Sequence, residues 1–305
     1  VSIQVQGLTK IYGDQRAIDN ISFEAKEGQI TGLVGPNGAG KSTTMKILTC
    51  YMPADSGQAT VCGHDVVHQD LKIKSLIGYL PEHNPLYKSM YVQEYLSFIA
   101  RVHGLSDIRT KVVDAVSSVG LTKEKHKKIS ALSKGYRQRV GIAQAIIHNP
   151  KVLILDEPIS GLDPNQIQEI RDLILSLKKD KTIIFSSHIL QEVESICDKI
   201  IILNEGKIVA DDQLSILNEN AGTETIVELE LLNQMNEKYL NEIDKTMHIT
   251  SNNSKNYLIK LASGRDIRED IFDAVVRQNN KILSMTMQKS NLENVFKSVT
   301  KENSN

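Results

Sequence analysis

An α/β core interrupted by a helical segment, followed by a small α+β unit, is the fold class that the 305-residue sequence predicts. Three observations predict it. From residue 2 to about 218, short β-rich runs alternate with helix-length amphipathic segments. Between about 88 and 148 the strand-like runs vanish and apolar residues recur at helical spacing, which marks a helical subdomain inserted into the core. After about Gly222 the order becomes strand–helix–strand–strand–helix–strand, that of a split βαβ, ferredoxin-like domain. The predicted domains are residues 1–220 and 223–300.

The elements follow in order. Strands are predicted at "SIQVQ" (2–6), "IDNISFEA" (18–25) and the apolar "ITGLV" (30–34), then a helix at "KSTTMKIL". "VQEYLSFIARVHG" and "IRTKVVDAVSSVG" read as helices of the inserted subdomain, and "YRQRVGIAQAII" as a third helix. The core resumes with strands "VLIL" (152–155), "TIIFS" (182–186) and "KIIIL" (199–203). The last unit reads "TIVELELL", a helix, "MHITS", "NYLIKLA", a helix from Asp266, "ILSMTMQ" and a final helix from Asn291, before a frayed "KENSN". No internal repeat and no low-complexity segment interrupts this order.

Composition bounds the function. Hydrophobic residues make up 40% and charged residues 24%, a balance that supports a packed core and excludes a disordered chain. The formal net charge of −1 gives no global attraction to nucleic acid or to an anionic membrane, so no nucleic-acid partner is expected. Cys50, Cys62 and Cys197 lie far apart, which fits a reducing compartment better than a disulfide framework or a zinc site. No apolar stretch approaches the roughly 18 residues that span a bilayer, and the first residues lack a secretory pattern. Any service to a membrane would pass through a partner.

The strongest chemical signal is "GPNGAGKS", Gly35–Ser42, between an apolar strand and a helix start. Glycines let successive backbone N–H groups turn inward as a nest for phosphate oxygens, and the helix N-terminus adds its positive end. In this pattern Lys41 reaches the β- and γ-phosphates and the Ser42 hydroxyl ligates Mg²⁺. The second signal is "VLILDEP", which delivers Asp156 and Glu157 at a strand's carboxyl end, where open α/β sheets bind ligands. Asp156 is placed to hold Mg²⁺ and Glu157 to deprotonate an attacking water. Alone, such a pair would read as a solvated strand end; the phosphate loop inverts that choice. His188 follows "TIIFSS" at the same edge of the sheet, and a γ-phosphate contact is the reading preferred over an ordinary polar residue.

The succession "GPNGAGKST", "LSKGYRQR", "LILDEPISGLDP" and a strand ending in His188 resembles the ATP-binding subunits of ABC transporters, over residues 2 to about 218. A narrower likeness, to the bacterial gliding-motility and multidrug-export type, rests on "LSKGYRQRVGIAQA", "IGYLPEHNPLY" and the C-terminal unit. The resemblance implies a P-loop NTPase core of ABC type that binds ATP and Mg²⁺ and hydrolyses ATP to power transport. The nucleotide would lie on Gly35, Pro36, Asn37, Gly38, Ala39, Gly40, Lys41, Ser42 and Thr43, with Tyr12 stacked on adenine; strand-edge packing is the other reading of Tyr12. Ser42, Asp156 and Glu82 would hold the metal, and Lys41, Glu157 and His188 would carry catalysis.

The resemblance also explains a stretch that looks idle in one chain. "LSKGYRQRVG" (132–141) offers a serine, a glycine and a basic helix start but no nucleophile and no metal ligand. In the family, two copies meet head to tail and each ATP is sandwiched between one copy's phosphate loop and the other's "LSGGQ" helix start. Ser133 and Gly135 would thus touch the partner's γ-phosphate, with the helix dipole behind them. A serine N-cap on a surface helix is the plainer alternative. "SGLD" (160–163) matches the loop that crosses this dimer interface.

Three departures from the family pattern stand out. Glu82, in "GYLPEHNP", takes the place of a glutamine that usually faces Mg²⁺ and the attacking water. Lys134 and Tyr136 replace a glycine and the glutamine of "LSGGQ", and Ile159 replaces a threonine after "DEP". The resemblance further implies integral membrane permease subunits as partners, docking a short helix near Glu82, and a cytoplasmic location at the inner face of the cell membrane. "KEKHKK" (123–128) reads as a solvated helix end or loop rather than a lipid contact. For the C-terminal unit the resemblance suggests a regulatory or dimer-supporting role. Two other functions compete: a soluble ABC-type ATPase acting on DNA or ribosomes, and a nucleotide-gated module with little turnover. A single ATPase module without sustained heptads argues against the first, and Lys41, Glu157 and His188 together argue against the second.

Overall fold

The computed structural model describes residues 2–214, residues 225–261 other than 237, 242, 245 and 254, and residues 266–289. The chain divides into two compact units, residues 1–214 and 215–305. The predicted helix from Asn291 lies outside the described residues.

The first unit is built on two sheets. Strands β1 (Ile3–Tyr12), β2 (Gln15–Ala25), β4 (Ser56–Val61) and β5 (His64–Asp65) form an antiparallel sheet in the order β2-β1-β4-β5. Inward residues of these strands, among them Ile3, Val5, Ile21, Phe23 and Val61, join the main hydrophobic core. β1 runs beyond the expected 2–6 because the ladder shifts register between Val5 and Leu8 and then continues to Tyr12. The second sheet holds β3 (Ile30–Val34), β6 (Ile77–Leu80), β7 (Val152–Leu155), β8 (Thr182–Ser187), β9 (Lys199–Asn204) and β10 (Lys207–Gln213). Its order is β10-β9-β3-β8-β7-β6, parallel except for β10. β3, β7 and β8 are buried at every position. That is why their sequences are continuous apolar runs: both faces of the parallel sheet are covered, and Leu33, Ile154 and Ile184 on one face pack with α1 and the antiparallel sheet.

Parallel order has a consequence for chemistry. β3, β8, β7 and β6 are consecutive neighbours, with Val34 opposite Ser187 and Leu155 opposite both Phe185 and Leu80. Their carboxyl ends therefore deliver Gly35, His188, Asp156 and Pro81 to one rim of the sheet.

Helices α3 (Val92–Val102), α4 (Ile108–Ser118) and α5 (Lys134–Ile146) make up the helical segment between β6 and β7. α3 buries Val92, Tyr95, Leu96 and Ala100, the i, i+3, i+4, i+8 stripe of an amphipathic helix, and Glu94 closes its first turn by accepting the Tyr91 N–H at 3.2 Å. α1 (Lys41–Leu48), α2 (Asp70–Leu76), α6 (Pro164–Leu177) and α7 (Leu190–Glu194) complete the unit.

The second unit contains β11 (Thr225–Leu231), β12 (His248–Asn253), β13 (Asn256–Leu261) and β14 (Ile282–Lys289), in the order β12-β13-β11-β14 with every pair antiparallel. This is the ferredoxin-like arrangement. Val227, Leu229 and Leu231 pack with Tyr257, Ile259 and Leu261, and Ile271 and Val275 of helix Arg268–Arg277 close the core. Glu228 and Glu230 alternate outward, as the two-residue period of a strand requires. Between the first two strands, where a helix is expected, Lys238–Asn241 is helical.

Candidate functional site

The phosphate loop leaves the end of β3 and enters α1 through Gly40. Gly40 has φ +106°, and a Cβ there would stand 2.6 Å from the Ala17 carbonyl oxygen, so only glycine fits this turn. Lys41 is buried, and its ammonium donates to the carbonyl oxygens of Gly35 (2.7 Å) and Pro36 (3.1 Å). Burial pulls its pKa down, while the nearby carboxylates of Glu157, Asp156 and Glu82 oppose that shift. A buried cation held only by loop carbonyls has a ready exchange for phosphate oxygens, which carry full charge.

At the end of β7, Asp156 is almost fully buried, and its Oδ1 accepts from Ser186 Oγ at 2.7 Å. The same hydroxyl accepts the Glu157 N–H at 2.9 Å, so one serine of β8 fixes both acidic residues. Glu157 holds a left-handed backbone, φ +50°, and its Oε2 lies 2.9 Å from His188 Nδ1. Burial raises the Glu157 pKa, with His188 and Lys41 opposing. A buried carboxylate of raised pKa, oriented by an imidazole, suits a general base. His188 itself is 43% exposed and reaches outward.

Lys41, Glu157 and His188 share a cleft of about 450 Å³ lined by residues 37–43 together with Gln15, Ala17, Glu82, Glu157, Ser160 and His188. A second groove, about 770 Å³, is lined by Ser42, Glu82 and Asp156 along with Lys74, Tyr79, His103 and His148. Ser42 and Glu82 line both cavities, and Asp156 stands beside them. Two carboxylates and a hydroxyl are the hard oxygen donors that suit Mg²⁺. Among the described residues no group of three His, Cys, Asp or Glu is placed to hold a metal. An ion here would complete its shell with phosphate oxygens and water.

Not every expected residue joins the cleft. Tyr12 is 45% exposed, with its hydroxyl 3.1 Å from Met52 Sδ and the Lys10 ammonium 5.8 Å from its ring centre; it is absent from the cleft lining. Ser133 and Gly135 lie outside the lining as well. Ser133 is the N-cap of α5, its Oγ accepting the Tyr136 N–H at 3.3 Å, and Gly135 is buried. Both readings of that serine concern one place: it caps a helix, and helix geometry leaves the N–H groups next to it without intrahelical acceptors. Sequence reasoning missed Gln15 and Ala17, which have no motif. It also missed Ser186, whose only signal was a second hydroxyl in "FSSH".

Comparison with known proteins agrees with this geometry. A family model described as ABC transporter matches residues 18–160. The linearmycin resistance ATP-binding protein LnrL of Bacillus subtilis (strain 168) is 32% identical over 305 residues, covering 98% of this chain and 98% of that protein. The bacitracin transport ATP-binding protein BcrA of Bacillus licheniformis is 33% identical and covers 96% of this chain and 95% of its own length. A solved structure of an ATP-binding subunit of an ABC transporter superposes with TM-score 0.66 at 29% identity, over 73% of this chain and 94% of that one.

Proposed function

The chain belongs to the ATP-binding subunits of ABC transporters and is an ATPase; we propose that two copies clasp two ATP molecules head to tail and drive a membrane permease in export. The phosphate loop and Lys41 bind the triphosphate, and Tyr12 stacks on the adenine. Bound at Ser42, Asp156 and Glu82, Mg²⁺ would neutralise charge that develops on the phosphate oxygens. Glu157 takes a proton from the attacking water as its oxygen bonds to the γ-phosphorus and the bond to the bridging oxygen breaks, leaving ADP and phosphate. His188 orients Glu157 and contacts the γ-phosphate. Ser133 and Gly135 grip that phosphate from the second copy, so its loss reopens the pair.

Export is supported by the names of the relatives, one for linearmycin resistance and one for bacitracin transport. A location at the inner face of the membrane through permease subunits is consistent with the described residues, where no helix is long and apolar enough to cross a bilayer. The C-terminal unit supports or regulates the pair. The observation that carries the catalytic reading is the Glu157–His188 contact of 2.9 Å in the cleft that the phosphate loop lines. Glu157→Gln keeps the shape of that carboxylate without its basicity. It is expected to bind ATP normally and lose turnover by about 100-fold or more in a phosphate-release assay. Unchanged turnover would remove Glu157 from the role.

A further inference from the structure

The residues that the proposed function offers to a partner's nucleotide have close neighbours within their own chain. Ser133 caps α5. The absent side chain of Gly135 leaves a space that Gln166 fills: a Cβ there would stand 2.6 Å from Gln166 Oε1 and 2.7 Å from its Cδ. The Lys134 ammonium rests against Gly161, where a Cβ would stand 2.3 Å from Nζ. The two contacts are reciprocal. The start of α5 lays a side chain on a glycine of the loop that follows Glu157, and the first turn of α6 lays one on a glycine of α5. Gln166 is held in register because its own N–H donates to Asp163 Oδ1, the N-cap of α6, at 3.0 Å.

Glycine is used where a ligand must approach the backbone closely. At Gly135 that approach is filled by a neutral amide, and the neighbouring cation is parked on Gly161. An incoming triphosphate oxygen must turn Gln166 aside, and its charge draws Lys134 off Gly161. We propose that Gln166 is a positioning residue, a cover on Gly135 that keeps the start of α5 closed to phosphate until a second copy presents its nucleotide. This rests on the head-to-tail reading above. The closed form binds no anion, so the fraction of chains with Gln166 turned aside sets the apparent affinity for the ATP-bridged pair. After hydrolysis the cover returns, which favours reopening. Because Gly161 lies four residues after Glu157, departure of Lys134 also releases the loop that leads from the general base.

The test uses the Glu157→Gln chain, in which ATP persists, and measures the Mg·ATP concentration at which half of it runs as a dimer on a sizing column. Adding Gln166→Ala is expected to lower that midpoint about three- to tenfold. Gln166→Met, which keeps the length of the cover, is expected to return it to the parent value. In the hydrolysing chain, Gln166→Ala should lower KM for ATP, and Gln166→Met should return it to the parent value. Fluorescent-nucleotide binding by each monomer, which depends on Lys41 rather than Gln166, checks that each variant is folded; Gln166→Ser replaces an alanine variant that is not. A midpoint unchanged or raised by the truncation, or a methionine variant that behaves like alanine, overturns the cover. If the parent Glu157→Gln chain stays monomeric in saturating Mg·ATP, the head-to-tail reading fails, and the cover with it.

Discussion

The rim of the parallel sheet and the start of α5 make opposite use of their polar groups. At the rim, four neighbouring strand ends converge on one cleft, and the buried charged residues are held in place: Lys41 by loop carbonyls, the Asp156 carboxylate and the Glu157 N–H by Ser186, and the Glu157 carboxylate by His188. At the start of α5, Ser133, Lys134 and Gly135 lie outside the lining of that cleft: the Tyr136 N–H donates to Ser133, Lys134 rests on Gly161, and Gln166 covers Gly135. In the proposed function the first region works within one copy, and the second meets its ligand only when another copy brings it. Local pairing within a chain thus separates machinery that acts in place from machinery that waits.

That contrast is broken most directly at Ser133. Arginine there puts a long charged side chain where the proposed function seats the partner's phosphate, while every residue of the chain's own cleft stays unchanged. Turnover is expected to fall by about 100-fold or more, as when a donor to developing charge is removed, with fluorescent-nucleotide affinity of the monomer kept. Undiminished phosphate release by Ser133→Arg would mean that one copy suffices and that the serine is a helix cap alone.

A smaller effect is expected at the junction of the two cavities. Glu82 stands where the family pattern has a glutamine, and it lines the phosphate cleft and the larger groove alike. Glu82→Gln removes one anionic donor from the proposed metal site and one negative charge from beside the triphosphate. Titration of activity with Mg²⁺ is expected to show a three- to tenfold higher half-saturation, roughly the cost of weakening a single charge-assisted contact, with ATP affinity in the absence of metal unchanged or improved. A half-saturation that does not move would take Glu82 out of the metal site.

The same contrast explains what was legible beforehand. Strands buried on both faces read as unbroken apolar runs, and the chemistry at their ends is local in sequence, so β3, β7 and β8 and their terminal residues stood out together. β4 ("SGQATV") and β10 ("KIVADDQ") are half exposed and polar, and β6 is four residues that follow α2 directly, so no run marked them. β5 is only two residues. Within the site, Ser186 gave no pattern because its role depends on β7 and β8 being neighbours. Gln166 gave none because it covers Gly135 only after α5 and α6 have packed. In the second unit, the alternation of Val227, Leu229 and Leu231 with Glu228 and Glu230 made the strand plain and left no catalytic arrangement to read.

The smallest expected effect concerns how the helical segment is fastened to the sheet that carries the cleft. His103, after α3, and His148, after α5, stack face to face with ring centres 3.9 Å apart and planes 6° apart. His148 Nε2 lies 2.9 Å from the Ile77 carbonyl oxygen of β6, which ties the segment to the sheet. Burial first, then His103 and Lys181, push the His148 pKa down to about 4, and burial lowers that of His103. A depressed histidine means that the unfolded chain takes up the proton more readily than the folded one. The pair therefore costs no stability above about pH 6.5, and stability falls as the pH drops from there toward about 4. For a ring that is partly exposed, the loss at pH 5 is about 1 kcal/mol, equivalent to roughly 2–4 °C in Tm for a unit of this size. His148→Phe keeps a flat ring against His103 and cannot be protonated. Its Tm is expected to start lower at pH 7, through the lost bond to Ile77, and to fall less than the parent's between pH 7 and pH 5. Parallel slopes in the two proteins would show that the acid sensitivity of the chain lies in other groups than this histidine pair.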